Sequence, residues 1–233
     1  MIPIRDTIRS YNFPFVNWAI IILNALVFLF EISLSPAARE HLILTYGMVP
    51  SHLDPSHLAS LTGLLTNLFL HGGWFHFLSN MWVLYIFGDN VEDRMGSLRY
   101  LIFYLLGGLC ANLLQWFFSS GSDIPAIGAS GAIAAVLGAY FLLYPRARVI
   151  TLLIIFLFPW FVDIPAIIFL GFWFVSQLFS GLFSLATSTG MDMGGVAWWA
   201  HVGGFIFGLL FVKLFTQRKR AYYRWYPDEY WPW

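Results

Sequence analysis

Six stretches of this chain run for close to twenty residues with scarcely a charge in them, and about 20 apolar residues is what a helix needs to cross the hydrocarbon of a bilayer. They cover approximately 15–34, 74–90, 98–118, 127–145, 164–184 and 197–215. A soluble domain carries roughly 25% charged residues to cover its surface; here the figure is 10%, with a mean hydropathy of +0.73. Most of the surface must therefore face something other than water. Twenty-four Phe and eleven Trp suit a lipid-facing exterior with aromatic belts at the interfaces. The expected fold is an all-α polytopic membrane protein, one domain over residues 1–233 built as a six-transmembrane-helix bundle.

Charge sets the direction of the spans. With both termini cytoplasmic, every one of the twelve basic residues except Arg39 falls on the inner side, as the positive-inside rule prefers. A seventh apolar run, Val149–Val162, is short, β-branched and broken by Pro159. It suits a span, a strand or an interfacial segment, but as a span it would carry Arg218 to Arg224 to the side opposite Arg5 and Arg9. The tail from Arg218 to Trp233, basic and then aromatic, reads as an interfacial anchor. The opening MIPIRDTIRSYNFPF precedes a run long enough to span, so it reads as part of a first anchor and not as a signal peptide. With no transit peptide in view, the expected location is a prokaryotic cell (inner, cytoplasmic) membrane. Cys110 is the single cysteine, which leaves no disulfide framework and suits a small packing residue.

Polar side chains inside a bilayer are costly and so draw attention. Asn17, Asn24 and Glu31 recur every seven residues on one face of the first span, which suits glue between helices. The second span opens with His76 and Asn80, four residues apart, with His71 just ahead of a Gly-Gly break. The fourth opens with Gly128-Ala129-Ser130-Gly131, and the sixth with Ala200-His201 followed by Gly204 and Gly208. Spans two, four and six all run from outside to inside, so these residues lie at one depth, a turn or two below the outer surface. Gly204 and Gly208 form a small-residue stripe, and Gly131, Ala135 and Gly138 form another. Such stripes let backbones approach closely, which would bring Ser130 within reach of His201.

A serine hydroxyl needs a base to become a nucleophile, and histidine is the usual base near neutral pH. Ser130 and His201 supply that pair. No acidic residue lies near His201 in its span, so a dyad is expected, with packing and glycine contacts orienting the imidazole. The Ser130 amide at a helix start, His76 and Asn80 are the donors available to a developing oxyanion. Position 132 is Ala, so this is not the G-x-S-x-G elbow of soluble esterases.

At these residues the chain resembles the rhomboid intramembrane serine proteases over roughly residues 60–210. The motif G-x-S-G appears at Gly128–Gly131, A-H-x-x-G-x-x-x-G at Ala200, His201, Gly204 and Gly208, H-x4-H-x3-N at His71, His76 and Asn80, and G-x3-E-x3-G at Gly88, Glu92 and Gly96. The resemblance implies Ser130 as nucleophile, His201 as general base, and His76 and Asn80 as oxyanion donors. It implies structural roles for Gly128, Gly131, Gly204, Gly208, His71 and Glu92. It further implies a water-filled cavity open to the outside and hydrolysis of single-span membrane substrates near the outer end of their span. The fifth span, with Phe172, Trp173 and Phe174, resembles the side where substrate enters, or those rings simply face lipid. Some family members carry an aromatic four residues after the serine to support the histidine; here Ala134 stands there. Neither a cofactor, a metal nor a nucleic-acid partner is expected, and the oligomeric state stays open.

Two other readings compete. A non-proteolytic rhomboid-like protein that binds membrane clients typically loses the serine or histidine, and this chain keeps both. A metal or ion transporter built on His71, His76 and His201 meets the objection that His71 and His76, five apart, do not share a helical face, and that no inverted repeat is visible.

Overall fold

The computed structural model describes residues 1–186 and 196–217. It contains eight α-helices among these residues: α1 (Phe15–Ser33), α2 (Pro36–Tyr46), α3 (Gly63–Thr66), α4 (Trp74–Met95), α5 (Ser97–Ser119), α6 (Ser130–Leu143), α7 (Ala166–Ala186) and α8 (Trp198–Phe215). A three-stranded sheet joins β1 (Ile2–Asp6), β2 (Arg148–Ile155) and β3 (Phe158–Pro165). Helices occupy all six apolar segments of the sequence. Four of them, α1, α5, α7 and α8, are long and apolar enough to cross a membrane. Helix α4 carries Asp89, Glu92, Asp93 and Arg94 in its last two turns, and α6 has only 14 residues, a length of about 21 Å at 1.5 Å per residue. The basic and aromatic tail beyond residue 217 lies outside the described residues.

The fold is mostly helical and not all-α. Residues 149–162 form most of a β-hairpin, to which the chain's first strand adds: β2 pairs antiparallel with β3 and with β1. The β-branched run Val-Ile-Thr-Leu-Leu-Ile-Ile favours strand, and Pro159 bars a helix through it.

Helix α6 is the centre of the bundle. Every residue from Gly131 to Tyr140 is buried, the signature of a helix with neighbours on all sides. Its tightest neighbour is α8. A Cβ placed on Gly204 would run into the Gly131 carbonyl oxygen, and one on Gly208 into the Ala135 carbonyl oxygen. The two backbones are therefore in contact, which the small-residue stripes of both helices allow.

Helix α1 buries only Asn17, Ile20, Asn24, Phe28 and Glu31, one stripe of its surface. The polar members act as latches. The Tyr100 hydroxyl donates to Asn17 Oδ1 at 2.7 Å, and the Asn17 amide donates to the Leu84 carbonyl at 3.2 Å. Glu31 accepts from the His71 backbone N–H at 3.1 Å, while Asn24 bonds back to Ile20 of its own helix. Glu92 supplies the cap that α1 lacks in its own sequence. Its carboxylate accepts from the Val16 and Asn17 backbone N–H groups at 3.1 and 2.7 Å, and from the Ser97 hydroxyl at 2.6 Å. These donors are among the four that a helix start leaves unsatisfied, so one carboxylate ties α1, α4 and α5 together.

At the end of the bundle far from Ser130, Asp6 of β1 accepts from the Tyr140 hydroxyl and from the Asn90 amide. Burial, with Asp89 nearby, pushes the Asp6 carboxyl up to about 7 against the relief given by Tyr140. A raised folded-state pKa means that the folded chain keeps this proton where the unfolded chain has lost it. Stability due to Asp6 is therefore full below about pH 4 and falls as pH rises toward 7. The melting temperature in lipid is expected to drop across that window, and Asp6→Asn should flatten the slope; an unchanged slope in the variant would assign the dependence to another group.

Candidate active site

Ser130 is the first residue of α6 and His201 the fourth of α8. The close approach of the two helices brings their side chains together: Ser130 Oγ lies 2.8 Å from His201 Nε2. The other ring nitrogen, Nδ1, lies 2.7 Å from Gln177 Oε1 on α7. A carbonyl oxygen only accepts, so Nδ1 carries the proton and Nε2 presents its lone pair to the serine hydroxyl. The direction of the Gln177 amide is set by its own nitrogen, which donates to Ser176 Oγ at 3.0 Å. The Ser176 hydroxyl in turn bonds the Trp173 carbonyl at 2.6 Å.

Gln177 is the residue that sequence reasoning missed. Packing and glycine contacts were expected to orient the imidazole, whereas a buried amide does so. The Trp173 ring lies alongside, 5.7 Å from His201 between centroids, and Trp198 meets its edge at 6.3 Å. These rings come from α7 and α8, in place of an aromatic side chain at position 134. The signal in the sequence was a single Gln in the apolar run AIIFLGFWFVSQLFSGLF, which on its own reads as helix glue. Of the three aromatics in that run, Phe172 is exposed, while Trp173 leans on His201 and Phe174 stacks on Phe205.

His76 and Asn80, one turn apart on α4, converge on Gly128. A Cβ at Gly128 would meet His76 Nε2 at 2.6 Å and Asn80 Nδ2 at 3.6 Å. Gly128 has φ +124°, a backbone region that side chains rarely adopt, so both space and conformation require glycine there. The Gly72 backbone N–H points at His76 Nδ1 from 3.4 Å, which leaves the His76 proton on Nε2, facing the site. Asn80 Nδ2 is buried and has no hydrogen-bond partner among the described residues. A buried donor without an acceptor is costly, and an incoming anionic or carbonyl oxygen would satisfy it. The Ser130 N–H lies in the first turn of α6, where no intrahelical acceptor is available. Two side-chain donors of α4 thus meet at Gly128, two residues before Ser130, whose own N–H is a third donor at the start of α6.

His71 stands behind this group. It is buried, its ring is 5.2 Å from that of His76, and its carbonyl accepts from Arg39 at 3.1 Å. Its ring does not reach the serine–histidine pair, and both nitrogens of His201 are already engaged by Ser130 and Gln177. Gly131 and Gly204 form the backbone contact beneath the pair, with Gly208 one turn further along. Glu92 lies far along α4 and is occupied with the start of α1.

A family model described as "Rhomboid domain" matches residues 58–218. Similar curated proteins include the human presenilin-associated rhomboid-like protein, mitochondrial, 29% identical over 168 residues, which are 68% of this chain and 39% of the relative. Rhomboid protein 1, mitochondrial, of Saccharomyces cerevisiae is 26% identical over 163 residues, covering 68% and 43%. Rhomboid-like protein 11, chloroplastic, of Arabidopsis thaliana is 28% identical over 162 residues, covering 67% and 53%. The chain thus spans about two fifths to one half of the length of these relatives. Their names, two mitochondrial and one chloroplastic, contradict the expected prokaryotic cell membrane. That expectation leaned on a missing transit peptide, and a match to only part of each relative makes the start of this chain uninformative about a leader.

Proposed function

We propose, because this chain belongs to the rhomboid family and holds Ser130 Oγ 2.8 Å from His201 Nε2, that it is an intramembrane serine endopeptidase. That contact is the observation that carries the reading. His201 takes the hydroxyl proton as Ser130 Oγ attacks the scissile carbonyl carbon. The Ser130 amide, His76 Nε2–H and Asn80 Nδ2–H receive the resulting oxyanion. His201 then passes its proton to the leaving amine, and water, deprotonated by the same imidazole, hydrolyses the acyl-serine. The residues have the roles that the family motifs give them: nucleophile Ser130, base His201, oxyanion donors His76, Asn80 and the Ser130 amide.

The same reading makes residues 1–233 one membrane domain with six spans and both termini on the inner side, supported by the confinement of basic residues other than Arg39 to that side. The substrates are then single-span membrane proteins, cut near the outer end of the span, where α4, α6 and α8 begin. The test is labelling of the lipid-reconstituted chain with a fluorophosphonate, followed by mass spectrometry. One adduct, on Ser130, is expected. Cleavage of a model single-span substrate without an adduct at Ser130 would show the serine assignment to be wrong. If neither labelling nor cleavage occurs while membrane clients still bind, the non-proteolytic reading takes its place.

Gln177 acts in this scheme through His201 and not on the substrate. One hydrogen bond to a neutral acceptor is worth about 0.5–1.5 kcal/mol, so Gln177→Leu should lower kcat up to about tenfold and leave KM near its wild-type value. Gln177→Glu, which keeps an accepting oxygen, should recover most of the rate. Equal losses in both variants would reduce Gln177 to a packing residue.

A further inference from the structure

The β2–β3 hairpin plays no part in the site. Its tip, Phe156 and Leu157, is 92% exposed at both residues, and Phe158, Phe161 and Trp160 are more than half exposed. A hairpin with one face on a core and one in water alternates apolar and polar residues. Here both faces are apolar, with Thr151 the single polar residue between Arg148 and Asp163; the base of β2 is covered at Val149 and Thr151, whereas every residue from Ile154 to Val162 is exposed. The turn residues have φ +49° and +70°, values that hairpins in water assign to Asn-Gly. Two bulky apolar side chains are kept there instead.

The direction of the hairpin is fixed by two hydrogen bonds from α4 to β1. Asn90 donates to the Asp6 carboxylate at 3.0 Å, and the Trp82 indole donates to the Pro3 carbonyl at 2.6 Å. Trp82 lies about 12 Å nearer the start of α4 than Asn90, and three residues of strand cover about 10 Å. Strand β1 therefore lies alongside α4. Asp6 pairs with Val149 and Ile2 with Leu152, so β2 runs back along α4 toward the level of Trp82, and the tip continues about 10 Å beyond. The hairpin points back into the slab occupied by the spanning helices and not away from it into water.

Its edges suit that place. Around a two-residue turn, Phe158 exchanges both bonds with Ile155, so Trp160, Val162 and Ile164 also face β2, while Pro159, Phe161, Asp163 and Pro165 turn outward. Two of those four are prolines with no N–H to leave unsatisfied, and proline on an edge also opposes pairing with another strand. The outer edge of β1 is covered by α4, where Trp82 takes the Pro3 carbonyl.

We propose that the β2–β3 hairpin is an anchor seated in the bilayer beside α4, with its tip among lipid acyl chains. The proposal rests on the bundle lying in a membrane and is independent of the serine chemistry. The test uses the full chain with Cys110→Ser and one spin-labelled cysteine, reconstituted in phosphatidylcholine vesicles. Labels replace Leu157 at the tip, Leu26 in the middle of α1 and Ser56 in an exposed loop, and collisions with oxygen and with a water-soluble nickel chelate are compared. The ratio of oxygen to nickel collisions at Leu157 is expected to match that at Leu26 and to exceed that at Ser56 several-fold. A ratio at Leu157 equal to that at Ser56 would put the tip in water and end the proposal. Low collision with both reagents would mean that protein, such as a second copy of the chain, covers it, and would end the proposal equally. If Leu26 itself reads as aqueous, the membrane reading of the bundle fails and the anchor fails with it. A second label at Ile154 guards against a local effect of the turn.

Discussion

Replacing Ser130 by Ala, or His201 by Ala, is expected to lower the rate of transmembrane substrate cleavage by at least about 10⁴-fold. On the proposed mechanism the two side chains form one functional unit, a hydroxyl activated by the imidazole 2.8 Å away. The double variant should therefore be no slower than either single one, because effects within such a unit do not add. Both variants should fold. Ser130→Ala places a good helix former at the first position of α6 and loses one hydrogen bond. His201→Ala leaves the Gly204 and Gly208 contacts with α6 untouched. Initial rates in lipid, with melting temperature as the control, decide the matter: cleavage near the wild-type rate by folded Ser130→Ala would remove the serine from the mechanism.

The second large effect is expected at Asn80 and His76. Removing one preorganised oxyanion donor typically costs about 10² to 10³ in kcat. Asn80→Ala should fall in this range with little change in KM, because on the proposed mechanism Nδ2, a buried donor with no partner among the described residues, bonds the oxyanion more strongly than the substrate carbonyl. His76→Ala should behave similarly, since its Nε2 faces the same space beside Gly128. A rise in KM at constant kcat would instead make these residues binders of ground-state substrate.

Helices were legible in the sequence because a run of close to twenty apolar residues has few other uses. The grouping of His76, Asn80, Ser130 and His201 was legible because the orientation suggested by charge put them at one depth, and the structure brings Ser130 to His201 and His76 and Asn80 to Gly128. The sheet was not settled, for a physical reason. Strands are recognised by alternation, and the run at 149–162 has none, since both its faces are apolar. Strand β1 is five residues long and owes its form to a partner more than 140 residues away, which no local pattern reveals. Gln177 escaped because a single amide in an apolar helix looks the same whether it bridges helices or holds a histidine ring in place. Only the placement of α7 against α8 distinguishes the two.

Ser130 and His201 are separated by 71 positions in the chain, and Gln177, whose amide meets the imidazole, lies on a third helix. The order of synthesis then matters. A chain still emerging from the ribosome completes α6, with its serine, well before α8 exists. Until that last helix docks, Ser130 has no proton acceptor and Gln177 no ring to hold, so a chain ended before Trp198 should not react with a fluorophosphonate. On the proposed mechanism, the growing protein would carry no activated serine until its last described helix has docked.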